Sequence, residues 1–253
     1  MQTQPLSRNR GFTLLETVIA IGVLAVLLTG FMVVFAPAAD GIRKSINVQQ
    51  ADRMVSTLEQ ELVTLRKGEE SADIKTGFDK AFDRIKKSGA ATSTDALFVY
   101  QYRAKLPSSS RSPDDGTSAP EPSLSGKPGE NYVVVPMVRR LSDSKFFEDL
   151  KAVEGAVYLV KCNQLVFSGN QLSPNTATGT IKNPKPNSTP PDPNYKAGPF
   201  NKAEDYPEAV VAFSADFFLM PAKTETYFKS TAFTSKFPNL KNPVFTRNLA
   251  VRR

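Results

Sequence analysis

Gly11-Phe12-Thr13-Leu14-Leu15-Glu16 stands at the head of an uncharged apolar run that extends from Thr17 to Ala36. The run is 20 residues long. As a helix it rises about 30 Å, one hydrocarbon thickness of a bilayer. Upstream, Met1 to Arg10 is polar, carries Arg8 and Arg10, and contains no acid. Glu16 is the only ionised side chain at the near edge of the run, with Phe12 four residues before it. A carboxylate at the edge of a membrane segment is costly unless paired, which marks Glu16 as a functional residue.

A basic leader, an apolar stretch and a small-residue site also describe a cleaved secretory signal, and Ala36-Pro37-Ala38 offers a small-x-small cut. Three features weigh against that reading. The apolar run exceeds the usual h-region, Glu16 sits at its start, and the helical pattern continues past Ala38.

At Arg8-Asn9-Arg10-Gly11 and Phe12-Thr13-Leu14-Leu15-Glu16-Thr17-Val18-Ile19-Ala20 the chain resembles type IV prepilins and pseudopilins. The resemblance covers about the first 40 residues. It implies a leader, residues 1–11, that prepilin peptidase removes after Gly11, with N-methylation of Phe12. It implies that Glu16 meets the N-terminal amine of a neighbouring subunit during assembly. The implied partners are other pilin or pseudopilin subunits, an inner-membrane assembly platform and membrane lipid; DNA is not expected. The implied location is the bacterial inner membrane, crossed once, with the head outside the cytoplasm and the filament in the periplasm or at the cell surface. The implied role is a structural subunit, a minor pilin or pseudopilin of a type IV pilus or type II secretion-like filament. The competing class is a membrane-anchored exported binding protein outside any filament.

Beyond the run, Ile42, Ile46, Ala51, Met54, Val55, Leu58, Leu62 and Leu65 recur at steps of three to five. That spacing predicts one apolar helical face. One helix is therefore expected from Phe12 to about Lys67, roughly 80 Å long. Arg66 and Lys67 suit its last turn, Gly68 its end, and Pro37 should kink it. Residues 12–36 need lipid or other apolar helices; the second half needs a core supplied by residues 68–253.

A second helix is expected from about Ser71 to Ser88, capped by Ser71 or Asp73. Strands are expected at Leu97–Arg103, Tyr132–Val138, Glu208–Met220 and Val244–Val251, and a hairpin over Ala156–Phe167 turning near Cys162-Asn163. Pro136 places the second strand at an edge or a bulge. Asp143–Glu154 suits a short helix stopped by Gly155. Residues 107–129 and 173–207 are dense in Pro, Ser, Gly and Asn and predict loops without regular structure. The fold class is α+β: a long N-terminal helix on a mainly antiparallel sheet, with the aromatic residues packed against the helix stripe.

Composition narrows the chemistry. Mean hydropathy is −0.28, so the bulk of the chain is polar. The absence of histidine removes His-dependent triads and His-ligated zinc. The lone Cys162 makes neither an internal disulfide nor a zinc site. The net charge is +7, but the basic residues are scattered, as on a solvated surface. No phosphate loop or nucleophile elbow occurs. The adjacent acids Asp114-Asp115 and Glu148-Asp149 point apart on a helix, which does not suit paired acid–base work. Asp192 and Asn194 could lend oxygens to a hard cation, and Asn187-Ser188-Thr189 has the pattern of a glycosylation acceptor, though the prolines after it disfavour that use. No catalytic residue, cofactor or metal site is expected.

Overall fold

The computed structural model describes residues 13–65, 71–88, 94–105, 120–124, 131–169 and 171–253. The leader, Gly11 and Phe12, Gly68, Gly89, Asp114-Asp115 and most of the 107–129 loop lie outside them. The chain divides into two units between Ile46 and Asn47.

Helix α1 runs Leu14–Val63, with Pro37 inside it. The helical assignment passes through Pro37 without a break. In the first unit α1 is apolar and exposed. In the second, Ala51, Met54, Val55, Leu58 and Leu62 of the expected stripe are buried; Ile42 and Ile46, the start of that stripe, fall in the first unit and are exposed. Helix α1 ends at Val63 rather than near Lys67. Helix α2, Gly77–Ser88, accounts for the early stop. A side chain at Gly77 would collide with the Val63 backbone, so the two helix ends touch through a glycine. Lys80 then reaches from α2 to the end of α1. Its Nζ donates to the Thr64 carbonyl and to Glu61 Oε1 at 3.0 Å. Lysine at a helix C-terminus satisfies an orphan carbonyl and suits the dipole.

The cap of α2 differs from expectation. Thr76 Oγ1 accepts from Asp79 N at 3.2 Å, and Asp79 Oδ2 accepts from Thr76 N at 2.9 Å. This reciprocal box satisfies two helix-end donors at once. Ser71 instead bridges to Ile74.

The sheet order is β2-β1-β3-β5-β6, all neighbours antiparallel, with β4 added to the end of β3. The strands are β1 Leu97–Lys105, β2 Tyr132–Arg140, β3 Val153–Ser168, β4 Gln171–Pro174, β5 Val210–Leu219 and β6 Phe245–Arg252. Strand β2 lies at an edge, where a proline such as Pro136 is tolerated. The expected hairpin over Ala156–Phe167 is one continuous strand. Cys162 pairs with Ala215 and Asn163 with Ser214. The chain reverses later, past Gly169, whose φ is 63°, before β4. Gly155 does not stop a helix either. Helix α3 is only Ser144–Leu150, and Gly155, at φ 69°, sits in a bulge where β3 slips its register against β1.

Both faces of the sheet are covered. One face packs Leu97, Val99, Val160, Phe213 and Phe217 against α1 and α2. The other face carries Phe98, Tyr100, Tyr102 and Leu159. It is covered by α3, by α4 (Glu225–Lys229) and by α5 (Thr231–Lys236). The aromatic residues expected against the helix stripe divide between the two faces, with Tyr158, Phe213 and Phe217 on the first and Phe98, Tyr100 and Tyr102 on the second. Phe98 stacks on Phe146 at 4.7 Å and meets Phe228 edge-on at 5.0 Å. Burial on both faces explains why Leu97-Phe98-Val99-Tyr100 is a continuous buried run without alternation. The 173–207 segment also holds more structure than expected. Ile181 bridges Phe200, a 3-10 turn spans Ala203–Asp205, and Ile181, Phe200 and Tyr206 enter the first core.

The Lys80 contact has a measurable consequence. Lys80 and Glu61 side chains are 1% and 7% exposed. Truncating one partner of such a buried pair strands the other, at about 3–5 kcal/mol. Lys80→Ala is expected to lower unfolding stability by that amount in a urea titration. The double replacement Lys80→Met with Glu61→Leu is expected to restore most of it.

Candidate functional site: the N-terminal apolar helix

The first unit presents a helix end and an apolar surface. Thr13 precedes α1, and its Oγ1 accepts from Glu16 N at 3.2 Å. Thr13 is therefore the N-cap, and Glu16 the third residue of the first turn. A carboxylate there faces the positive end of the helix dipole. Nothing in the reading of the sequence identified Thr13 as the cap. The Thr-x-x-Glu spacing was the signal that could have done so.

Fifteen large apolar side chains between Leu14 and Phe35 are more than half exposed, from Leu28 at 54% to Leu14 at 84%. Burial of each is worth on the order of 1.5–3 kcal/mol. Such a surface requires an apolar environment. Among the described residues, α1 is the one helix long and apolar enough to cross a membrane by length and composition. The first charge beyond the run is Asp40, and Arg43 and Lys44 follow. Of the three residues expected to act, Glu16 is described and lies at the head of this helix; Gly11 and Phe12 lie outside the described residues.

The second unit holds a few buried polar groups. Its most connected buried polar set joins β1, β2 and α3. Asp149 Oδ2 accepts from Tyr100 Oη at 2.7 Å and from Arg139 Nε at 2.6 Å. Arg139 Nη1 donates to Asp143 Oδ2 at 2.9 Å, and Asp143 caps α3. Burial raises both the Asp149 carboxyl and the Tyr100 hydroxyl above their ordinary values. Both donors are spent on one oxygen, so the set fastens α3 to the sheet. Glu148, beside Asp149, is exposed, so the two acids do face apart. No group of three or more acids or cysteines suited to a metal occurs among the described residues.

Cys162 lies mid-strand in the first core. Its backbone N–H donates to Ser88 Oγ at 3.1 Å, which ties β3 to the end of α2. Burial pushes its thiol up to about 12 from an ordinary value near 9. A neutral thiol is neither nucleophile nor metal ligand.

Residues 6–32 match the family described as the prokaryotic N-terminal methylation motif. That is the type IV prepilin-type motif, and it points to processed proteins of the pilin and pseudopilin kind. No curated protein and no solved structure matches the chain. The long N-terminal helix and antiparallel sheet are consistent with a pilin-like α+β fold. The motif and the apolar helix together fit a membrane-anchored pilin.

The Cys162 environment is checked by thiol labelling. In mildly alkaline buffer, iodoacetamide is expected to modify Cys162 roughly 10³-fold more slowly in the folded protein than in guanidinium. Because folding raises this pKa, its contribution to stability is full below about 9 and is lost as pH climbs through about 12. Cys162→Ala is expected to flatten the stability profile in that alkaline window, read by denaturant titrations at stepped pH.

Proposed function

We propose that this chain is a structural subunit, a minor pilin or pseudopilin, of a type IV pilus or a type II secretion-like filament. Prepilin peptidase cuts after Gly11, and Phe12 becomes the N-methylated first residue. Residues 12–36 anchor the subunit once through the inner membrane, with the head, residues 68–253, outside the cytoplasm. Partners are other pilin-type subunits and an assembly platform, and the filament stands in the periplasm or at the surface. The observation that carries this reading is the methylation motif at residues 6–32, set directly against an apolar helix with Glu16 in its first turn.

The role of Glu16 follows from charge. Removal of residues 1–11 leaves an α-amine on Phe12 with a reference pKa of about 8, cationic near neutrality. A carboxylate drawn into an apolar helix bundle costs several kcal/mol without a counter-charge. A neighbouring subunit's amine supplies that counter-charge, so helices pack side by side only in a register that joins the two. The subunit contributes surface and position to an assembly, and its own chemistry is the peptidase's.

Intact mass and N-terminal sequencing, with and without a prepilin peptidase, test the processing. A mature protein that begins at Phe12, carries one methyl group and depends on the peptidase supports the reading. A start near Ala39, or retention of Met1, removes it. Assembly is tested separately by cross-linking and shear release. Glu16→Ala is expected to be processed normally yet to lose co-assembly, with partial recovery in Glu16→Asp. Normal co-assembly of Glu16→Ala would remove the charge-pairing role of Glu16, and failure of the wild-type protein to co-assemble would leave an anchored exported binding protein as the better description.

A further inference from the structure

The proline-rich segment at 183–208 folds around an open cavity of about 310 Å³. Its wall is tied by local bonds. Asn187 Oδ1 accepts from Ser188 N and Asp192 N at 2.9 and 3.0 Å. Asp192 Oδ1 accepts from Asn194 N at 2.8 Å, and Tyr195 Oη donates to the Lys185 carbonyl at 2.8 Å. These bonds leave other polar atoms unspent. Asn187 Nδ2, Asp192 Oδ2 and the Asn194 carboxamide carry no bond to any described residue; all three residues are exposed and line the cavity.

The charges on the wall balance. Lys185 is neutralised by Glu208 at 2.8 Å. Lys196 and Asp192, also on the wall, are of opposite sign. A net anion or cation therefore gains little from the field of the cavity. A purely apolar ligand would cover amides and a carboxylate and leave them unsatisfied. The apolar share of the wall is ring-shaped: the half-buried Tyr195 together with Pro186 and Pro207. Planar amides and a carboxylate beside rigid apolar rings suit a ligand that alternates hydroxyl groups with C–H faces. A wall tied in this way also lowers the ordering cost of binding.

We infer that this cavity is a binding site for a neutral oligosaccharide. Asn187, Asp192 and Asn194 hydrogen-bond its hydroxyl groups, and Tyr195 offers a ring to one sugar face. The site is independent of the N-terminal helix, so it stands whether or not the chain assembles into a filament.

The test uses the full-length protein in lipid nanodiscs freed of alkyl-glycoside detergent, whose headgroups would compete. The probes are trisaccharides of glucose, of N-acetylglucosamine and of mannose, with trigalacturonate as the anionic comparison. Saturation-transfer NMR and calorimetry read binding. At least one neutral trisaccharide is expected to bind with a Kd of about 1 mM or tighter. Asn194→Ala keeps the backbone donor to Asp192 and is expected to weaken binding about tenfold. Tyr195→Ala is expected to abolish it, and Tyr195→Phe, which keeps the ring but loses the bond to the Lys185 carbonyl, to weaken it less than Tyr195→Ala does. Binding of none of the neutral probes overturns the proposal. So does binding of trigalacturonate alone, or sugar binding equal in wild type and in both alanine variants.

Discussion

Twenty consecutive residues without a charge cannot remain in water, and the rest of the molecule is arranged around that fact. The run Thr17–Ala36 is apolar on every side and exposed along its length wherever its side chains are described. No face of it is reserved for a core, so lipid or other apolar helices must supply its surroundings. Glu16 gains its meaning from this. On a soluble helix an exposed first-turn glutamate is an ordinary cap partner. At the mouth of a membrane helix the same carboxylate demands a counter-charge whenever it is drawn inward.

From Asn47 onward the problem is a different one, because a sheet with apolar residues on both faces needs two covers. The second half of α1 and α2 supply one. The short helices α3, α4 and α5 supply the other, with a cluster of phenylalanines between. Helices of five to seven residues are not stable alone. They persist here because Phe146, Phe228 and Phe233 bury their rings on the sheet. Truncating a buried ring of this kind costs about 3–5 kcal/mol, most of which is long-range contact rather than helix propensity.

Polar groups inside the molecule act as fasteners between layers. Lys80 joins the end of α1 to α2. Asp149 joins α3 to β1 and β2 through Tyr100 and Arg139. Ser88 joins α2 to β3 at Cys162. Tyr158 Oη donates to the Asn47 carbonyl at 2.8 Å and ties β3 to α1. The fasteners at Lys80 and Arg139 link consecutive elements and those at Ser88 and Tyr158 link elements far apart in the chain, and each buried polar atom involved has its partner. Fully satisfied networks of this kind specify one arrangement of layers where apolar packing alone would tolerate several.

Local sequence was enough for whatever depends on neighbours along the chain. The apolar run, the stripe from Ala51 to Leu62, the edge position of the strand carrying Pro136, and the alternation of Val211, Phe213, Ala215 and Phe217 follow from spacing alone. So does the motif that spans Gly11, Phe12 and Glu16, because it is a pattern of contiguous residues. What the sequence could not decide was which partner each element meets. Cys162-Asn163 resembled a turn, but pairing with Ala215 and Ser214 carries the strand straight through it. Gly155 resembled a helix stop, but β1 makes it a bulge. The phenylalanines announced a core without saying that it divides between the two faces of the sheet. The cavity at Asn187, Asp192 and Asn194 sits in a segment whose prolines predicted only a loop. Its wall exists because side chains bond to backbone across several residues, and because Phe200 and Tyr206 anchor the segment in the core. Periodicity is a property of the chain, whereas pairing and enclosure are properties of the folded whole.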